Sequence, residues 1–101
     1  MKNARLILVE DDAFTRATLG DALEHQGFEV KARAATAAEA IAAQESFDPH
    51  VAVLDLDLGI GPTGIDIAIA LRHKNPKIGI VFLTTYKEHD NKVKNGRWEL
   101  G

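Results

Sequence analysis

Oxygen-bearing side chains stand wherever this chain's apolar runs stop. Arg5 to Val9 (RLILV) is followed at once by Glu10, Asp11 and Asp12; Val51 to Leu58 (VAVLDLDL) carries Asp55 and Asp57; Ile78 to Leu83 (IGIVFL) is followed by Thr84. Carboxylates brought together at neutral pH repel unless a cation neutralises them. Hard oxygen ligands favour Mg2+, which keeps several waters and uses few protein carboxylates. A carboxylate beside such an ion can act as a nucleophile toward a phosphoryl group, with a hydroxyl such as that of Thr84 bonding a phosphoryl oxygen.

These residues can cooperate only if the chain brings them to one place. Val51 to Leu58, bounded by Pro49 and a glycine-rich loop, reads as a strand buried on both faces, and Arg5 to Val9 reads as a second central strand. Between them, Ala13 to Gln26 places Leu19, Ala22 and Leu23 at helical spacing, with Asp12 as cap and Gly27 as terminator. Phe28 to Ala34 alternates Phe28, Val30 and Ala32 against Glu29, Lys31 and Arg33, the pattern of an edge strand with one wetter face. Thr36-Ala-Ala-Glu39 fits a capping box opening an alanine-rich helix that runs to about Glu45. After the loop Gly59 to Gly64, Ile65, Ile67, Ala68, Ile69 and Leu71 lie on a helix that stops before Asn75-Pro76, and Ile78 to Leu83 is a fourth strand. Strands alternating with helices through short links predict a parallel sheet with helices on both faces. The C-terminal ends of its strands then share the edge where ligands bind in open α/β sheets.

A chain of 101 residues accommodates one domain with a single core. Its apolar runs are far too short to span a bilayer and its N-terminus lacks an export signal, so the expectation is a cytoplasmic protein without a membrane partner. The absence of cysteine excludes a disulfide framework and thiolate metal sites. Net charge is −3, the acids concentrated before residue 72 and the bases after it. Those bases form no dense cluster with interleaved aromatics, which argues against direct nucleic-acid binding. His25, His50, His73 and His89 share no ligand spacing and read as surface residues. Between Lys87 and Arg97 the only apolar side chain is Val93, so residues 87–101 read as a polar tail anchored at most by Trp98 and Leu100.

LILVEDD, VAVLDLDL with its glycine loop, and IVFLTT at these separations resemble the receiver domain of two-component response regulators, over residues 4 to about 86. The resemblance implies a flavodoxin-like, doubly wound parallel sheet ordered 2-1-3-4. It makes Asp55 the acceptor of a phosphoryl group from a sensor histidine kinase, Asp11 a direct Mg2+ ligand and Glu10 a ligand acting through water. Asp57 contributes its backbone carbonyl to the metal, and Thr84 is the switch hydroxyl. Spacing alone does not choose among the three successive acids, since alternation puts Glu10 and Asp12 on one side of an extended chain; the resemblance selects Glu10 and Asp11 and leaves Asp12 as a cap. Receivers are signalling domains with at most slow self-phosphorylation and self-dephosphorylation, so output would pass to a partner protein of unknown identity. Receivers also carry a fifth strand with a lysine and a fifth helix, which the sequence is expected to lack. The expected layout is therefore a receiver over residues 1–86 and the tail over 87–101. The uncovered fourth strand then predicts a homodimer. Two rival readings are a phosphorylation-impaired receiver serving as a binding module, and a haloacid-dehalogenase-like phosphatase using Asp55-Leu-Asp57. The second fits poorly, because that motif usually follows the first strand.

Overall fold

Two five-residue apolar runs, Arg5–Val9 (β1) and Val51–Asp55 (β3), lie side by side at the centre of a parallel sheet, pairing Leu6 with Val51 through Val9 with Leu54. The computed structural model describes residues 3–59 and 61–84. In chain order its elements are β1, α1 (Ala13–His25), β2 (Glu29–Ala34), α2 (Ala37–Phe47), β3, α3 (Gly64–Lys74) and β4 (Gly79–Leu83). The strands are ordered β2-β1-β3-β4 and every pairing is parallel, the flavodoxin-like arrangement expected. Because side chains alternate across a strand, one face of the sheet gathers Ile7, Val9, Ala52 and Leu54 against Ala40, Ala43, Ile67, Ala68 and Leu71 of α2 and α3. The other face packs Leu6, Leu8 and Val53 against Leu19 and Leu23 of α1. Both central strands are covered on both sides, which is why they read as continuous apolar runs.

Three local expectations are corrected. The central strand ends at Asp55 rather than Leu58, after a last sheet-like bond from the Leu56 amide to the Leu83 carbonyl at 3.0 Å. Phe28, Val30 and Ala32 do not share a face: the β1–β2 register slips between Leu6 and Ile7, which pair with Val30 and Ala32. This bulge leaves Phe28 and Val30 on the α1 side and puts Ala32 and Ala34 on the α2 side. Arg33 thereby reaches α1, where it pairs with Asp21 at 3.0 Å and Glu24 at 3.4 Å. Its guanidinium occupies the space a Cβ on Gly20 would need. The third correction concerns α2. Thr36 accepts from the Glu39 amide at 3.2 Å, but Glu39 Oε1 accepts from the Ala35 amide at 2.7 Å instead of closing a box on Thr36. A complete capping box stands on α3, where Thr63 and Asp66 bond reciprocally.

Asp12 caps α1 as expected, accepting from the Thr15 amide at 2.8 Å. His25, His50 and His73 are exposed. The predicted tail over 87–101, with Val93, Trp98, Leu100 and His89, lies outside the described residues. Among the described residues no helix is long and apolar enough to cross a membrane.

Candidate functional site

The acids after β1 do not splay into solvent together. The Glu10 amide donates to the Ala34 carbonyl at 2.9 Å, extending the sheet by one residue and carrying the Glu10 side chain inward until it is 0% exposed. Asp11 turns outward and Asp12 begins α1. Asp55, at the end of the neighbouring central strand, is also 0% exposed. Glu10, Asp11 and Asp55 each offer one carboxylate oxygen such that the three lie within 4.8 Å of one another. At that separation two unit charges repel by about 3 kcal/mol at an effective dielectric constant of ~20.

Glu10 registers this crowding. One oxygen, Oε2, accepts from the Asp12 amide at 2.9 Å, while Oε1 is buried with no hydrogen-bond partner among the described residues. Burial is the largest influence on its acidity. The Asp12 amide opposes it, the neighbouring Asp55 and Asp11 carboxyls add to it, and the carboxyl rises from 4.5 to about 7. A carboxyl that holds its proton so tightly, with one orphaned oxygen, fits a hard dication: either a proton or a metal ion must offset the charge here.

The loop after β3 is shaped around these groups. The Asp57 amide donates to Asp55 Oδ1 at 3.2 Å, and Asp57 Oδ1 accepts from the Gly59 amide at 3.2 Å. Gly59 has φ +78°, and a Cβ there would stand 3.3 Å from Asp11 Oδ2. Gly64 opens α3 so close to β3 that a Cβ there would run into the Asp55 carbonyl oxygen. Thr84 follows Leu83, the β4 partner of Asp55, on the same edge of the sheet, and is exposed.

Sequence reasoning named Glu10, Asp11, Asp55, Asp57 and Thr84, and all five fall on this edge, the first three in mutual contact range. It missed Gly64, whose role is a close backbone approach that only a folded chain displays. It also missed Arg16, whose Nη1 donates to the Glu10 carbonyl at 2.9 Å and the Asp11 carbonyl at 3.3 Å. A basic residue one turn into a helix looks like any solvated side chain.

Comparison with known proteins gives a consistent result. The family profile described as the response regulator receiver domain matches residues 6–98. The chain is 37% identical over 81 residues to the acid tolerance regulatory protein ActR of Sinorhizobium medicae (strain WSM419), covering 80% of this chain and 41% of ActR. It is 40% identical over 82 residues to the photosynthetic apparatus regulatory protein RegA of Rhodovulum sulfidophilum, covering 80% of this chain and 43% of RegA. It therefore spans about two fifths of the length of these curated relatives. Among solved structures, the response regulator PhyR from Brucella abortus superposes with a TM-score of 0.76 at 31% identity, over 86% of this chain and 35% of that one.

Proposed function

Given that this chain belongs to the response regulator receiver domain family, we propose that it accepts a phosphoryl group on Asp55 from a sensor histidine kinase. The observation that carries this reading is the meeting of Glu10, Asp11 and Asp55 within 4.8 Å at the C-terminal ends of two adjacent central strands, with Glu10 Oε1 buried and without a partner among the described residues. Asp11 and Asp55, Glu10 through water, and the Asp57 backbone carbonyl would hold Mg2+, whose charge offsets the carboxylates and the phosphoryl oxygens. Asp55 is the nucleophile. One of its oxygens bonds to phosphorus as the phosphorus–nitrogen bond of the kinase's phosphohistidine breaks, and the departing imidazole nitrogen keeps the electron pair. The Asp57 amide, donating to Oδ1, fixes the carboxylate plane for that attack. The Thr84 hydroxyl, on the same edge, donates to a phosphoryl oxygen of the product.

The reading extends to the protein's setting. The chain works in the cytoplasm, where kinase and Mg2+ are available, and delivers its signal through an output protein rather than by contacting nucleic acid itself. It pairs with a second copy through β4. That strand has no neighbour on its outer side among the described residues, and Val81 and Phe82 on it are 46% and 42% exposed. Light scattering on the purified chain tests the pairing, and a monodisperse monomer at tens of micromolar would refute it.

Acetyl phosphate with Mg2+, followed by intact-mass measurement, tests the acceptor. Wild-type protein should gain one phosphoryl mass and Asp55→Asn none. Equal labelling of the two would place the acceptor elsewhere, and no labelling of the wild type would favour the binding-module reading.

A further inference from the structure

We infer that Arg16 is a positioning residue of this site, holding the Glu10–Asp11 backbone in the conformation that aims both carboxylates at a cation. The inference rests on the metal reading given above. Arg16 lies on α1, one turn past its cap, yet its guanidinium reaches back past the helix start: Nη1 bonds the Glu10 carbonyl at 2.9 Å and the Asp11 carbonyl at 3.3 Å. Those carbonyls belong to the two residues whose side chains must converge on Asp55. Acidic side chains crowded within 4.8 Å push apart as they ionise, and the link between β1 and α1 is where they do so most easily. Fixing both peptide carbonyls removes that freedom.

The choice of partners matters as much as the strength of the bonds. An arginine paired directly with Glu10 or Asp11 would neutralise the cluster and occupy the oxygens a metal needs. Arg16 forms no ion pair with either of them, and its Nη1 bonds their main-chain carbonyls instead. It thus brings a positive charge near the cluster without using the carboxylate oxygens. Groups that orient metal ligands from behind commonly influence affinity about tenfold or more when removed.

This role predicts a sign opposite to that of simple electrostatics. Removing a positive charge near a dication site should tighten Mg2+ binding if charge alone mattered; loss of positioning should weaken it. Arg16→Met is therefore expected to weaken Mg2+ binding about tenfold, read from amide NMR shifts around residues 10–12 and 55–57 during MgCl2 titration. Arg16→Lys keeps the charge with a shorter, non-planar donor group and should fall between methionine and wild type. Tighter or equal binding in Arg16→Met, or wild-type affinity in Arg16→Lys, overturns the inference. If the methionine variant fails to fold, Arg16→Lys decides alone, since only positioning predicts weakening at constant charge. A metal-free measurement separates this failure from failure of the metal reading. The Asp12 amide, which donates to Glu10 Oε2, should exchange faster in Arg16→Met. A wild type that binds no Mg2+ sinks the metal site, and unchanged Asp12 exchange sinks the role of Arg16.

Discussion

Replacing Glu10 by glutamine should make the metal-free protein more stable at pH 8, although it removes a residue of the proposed site. Glu10 is fully buried, and its folded-state pKa of about 7 stands above its ordinary value of 4.5. Below pH 4.5 the carboxyl is protonated in both folded and unfolded chains and no cost arises. Between 4.5 and about 7 the unfolded chain gives up the proton while the folded chain keeps it, so stability falls as pH rises, and the full cost is present above 7. At about 1.4 kcal/mol per tenfold, that cost reaches about 3 kcal/mol. Glutamine has no charge to bury, its oxygen can still accept from the Asp12 amide, and its NH2 can donate to Asp55 or Asp11. Urea unfolding in EDTA should therefore show Glu10→Gln gaining up to about 3 kcal/mol at pH 8 and nothing at pH 4.5, with roughly 10–20 °C in Tm at the higher pH. Equal stability of the two proteins at pH 8, or the same gain at both pH values, would refute the account of a strained carboxyl.

The same linkage predicts that millimolar Mg2+ raises the Tm of wild-type protein more at pH 8 than at pH 5, because at pH 5 the ion must displace the Glu10 proton; thermal scans at the two pH values check this. Gly64→Ala should cost about 3 kcal/mol in urea unfolding and weaken Mg2+ binding, since the new Cβ meets the Asp55 carbonyl, which can yield only by moving the acceptor strand or α3. Gly20→Ala should change stability by less than about 1 kcal/mol. There the Cβ meets only the Arg33 guanidinium, which can swing away, and the lost exposed ion pairs are offset by better helix propensity.

The central strands and the acidic edge were legible because each follows from a one-dimensional pattern: a buried parallel strand is apolar throughout, and its C-terminal end is marked where the acids begin; the strand order came from the family resemblance, since no residue pattern says which strand lies beside which. Asp12 as a cap and Thr84 at a strand end were legible for the same reason. The faces of β2 were not. Strict alternation assumes unbroken register, and the slip opposite Leu6 and Ile7 is decided by pairing with β1, not by any residue within Phe28 to Ala34. Glu39 was assigned to the wrong amide because the capping spacing fixes which side chain reaches back, while the chain's entry angle decides whether it meets Thr36 or Ala35. Arg16 and Gly64 meet atoms of segments distant in character from their own, a carbonyl pair at a strand end and the Asp55 main chain.

Two joints between helix and sheet differ in compliance. Where β2 meets α1, the gap over Gly20 is filled by the tip of a long arginine with several rotatable bonds, a cushion that absorbs small displacements. Where β3 meets α3, main chain rests on main chain at Gly64, with no rotamer in between to take up a shift. A shift of the Asp55 backbone thus meets α3 with no side chain between to absorb it, whereas a shift of β2 against α1 is taken up by the Arg33 side chain. On that stiff side α3 presents Ile65 and Ile69, 54% and 63% exposed, beside Phe82. These two contacts give the sheet a rigid joint beside Asp55 and a yielding one at its far edge.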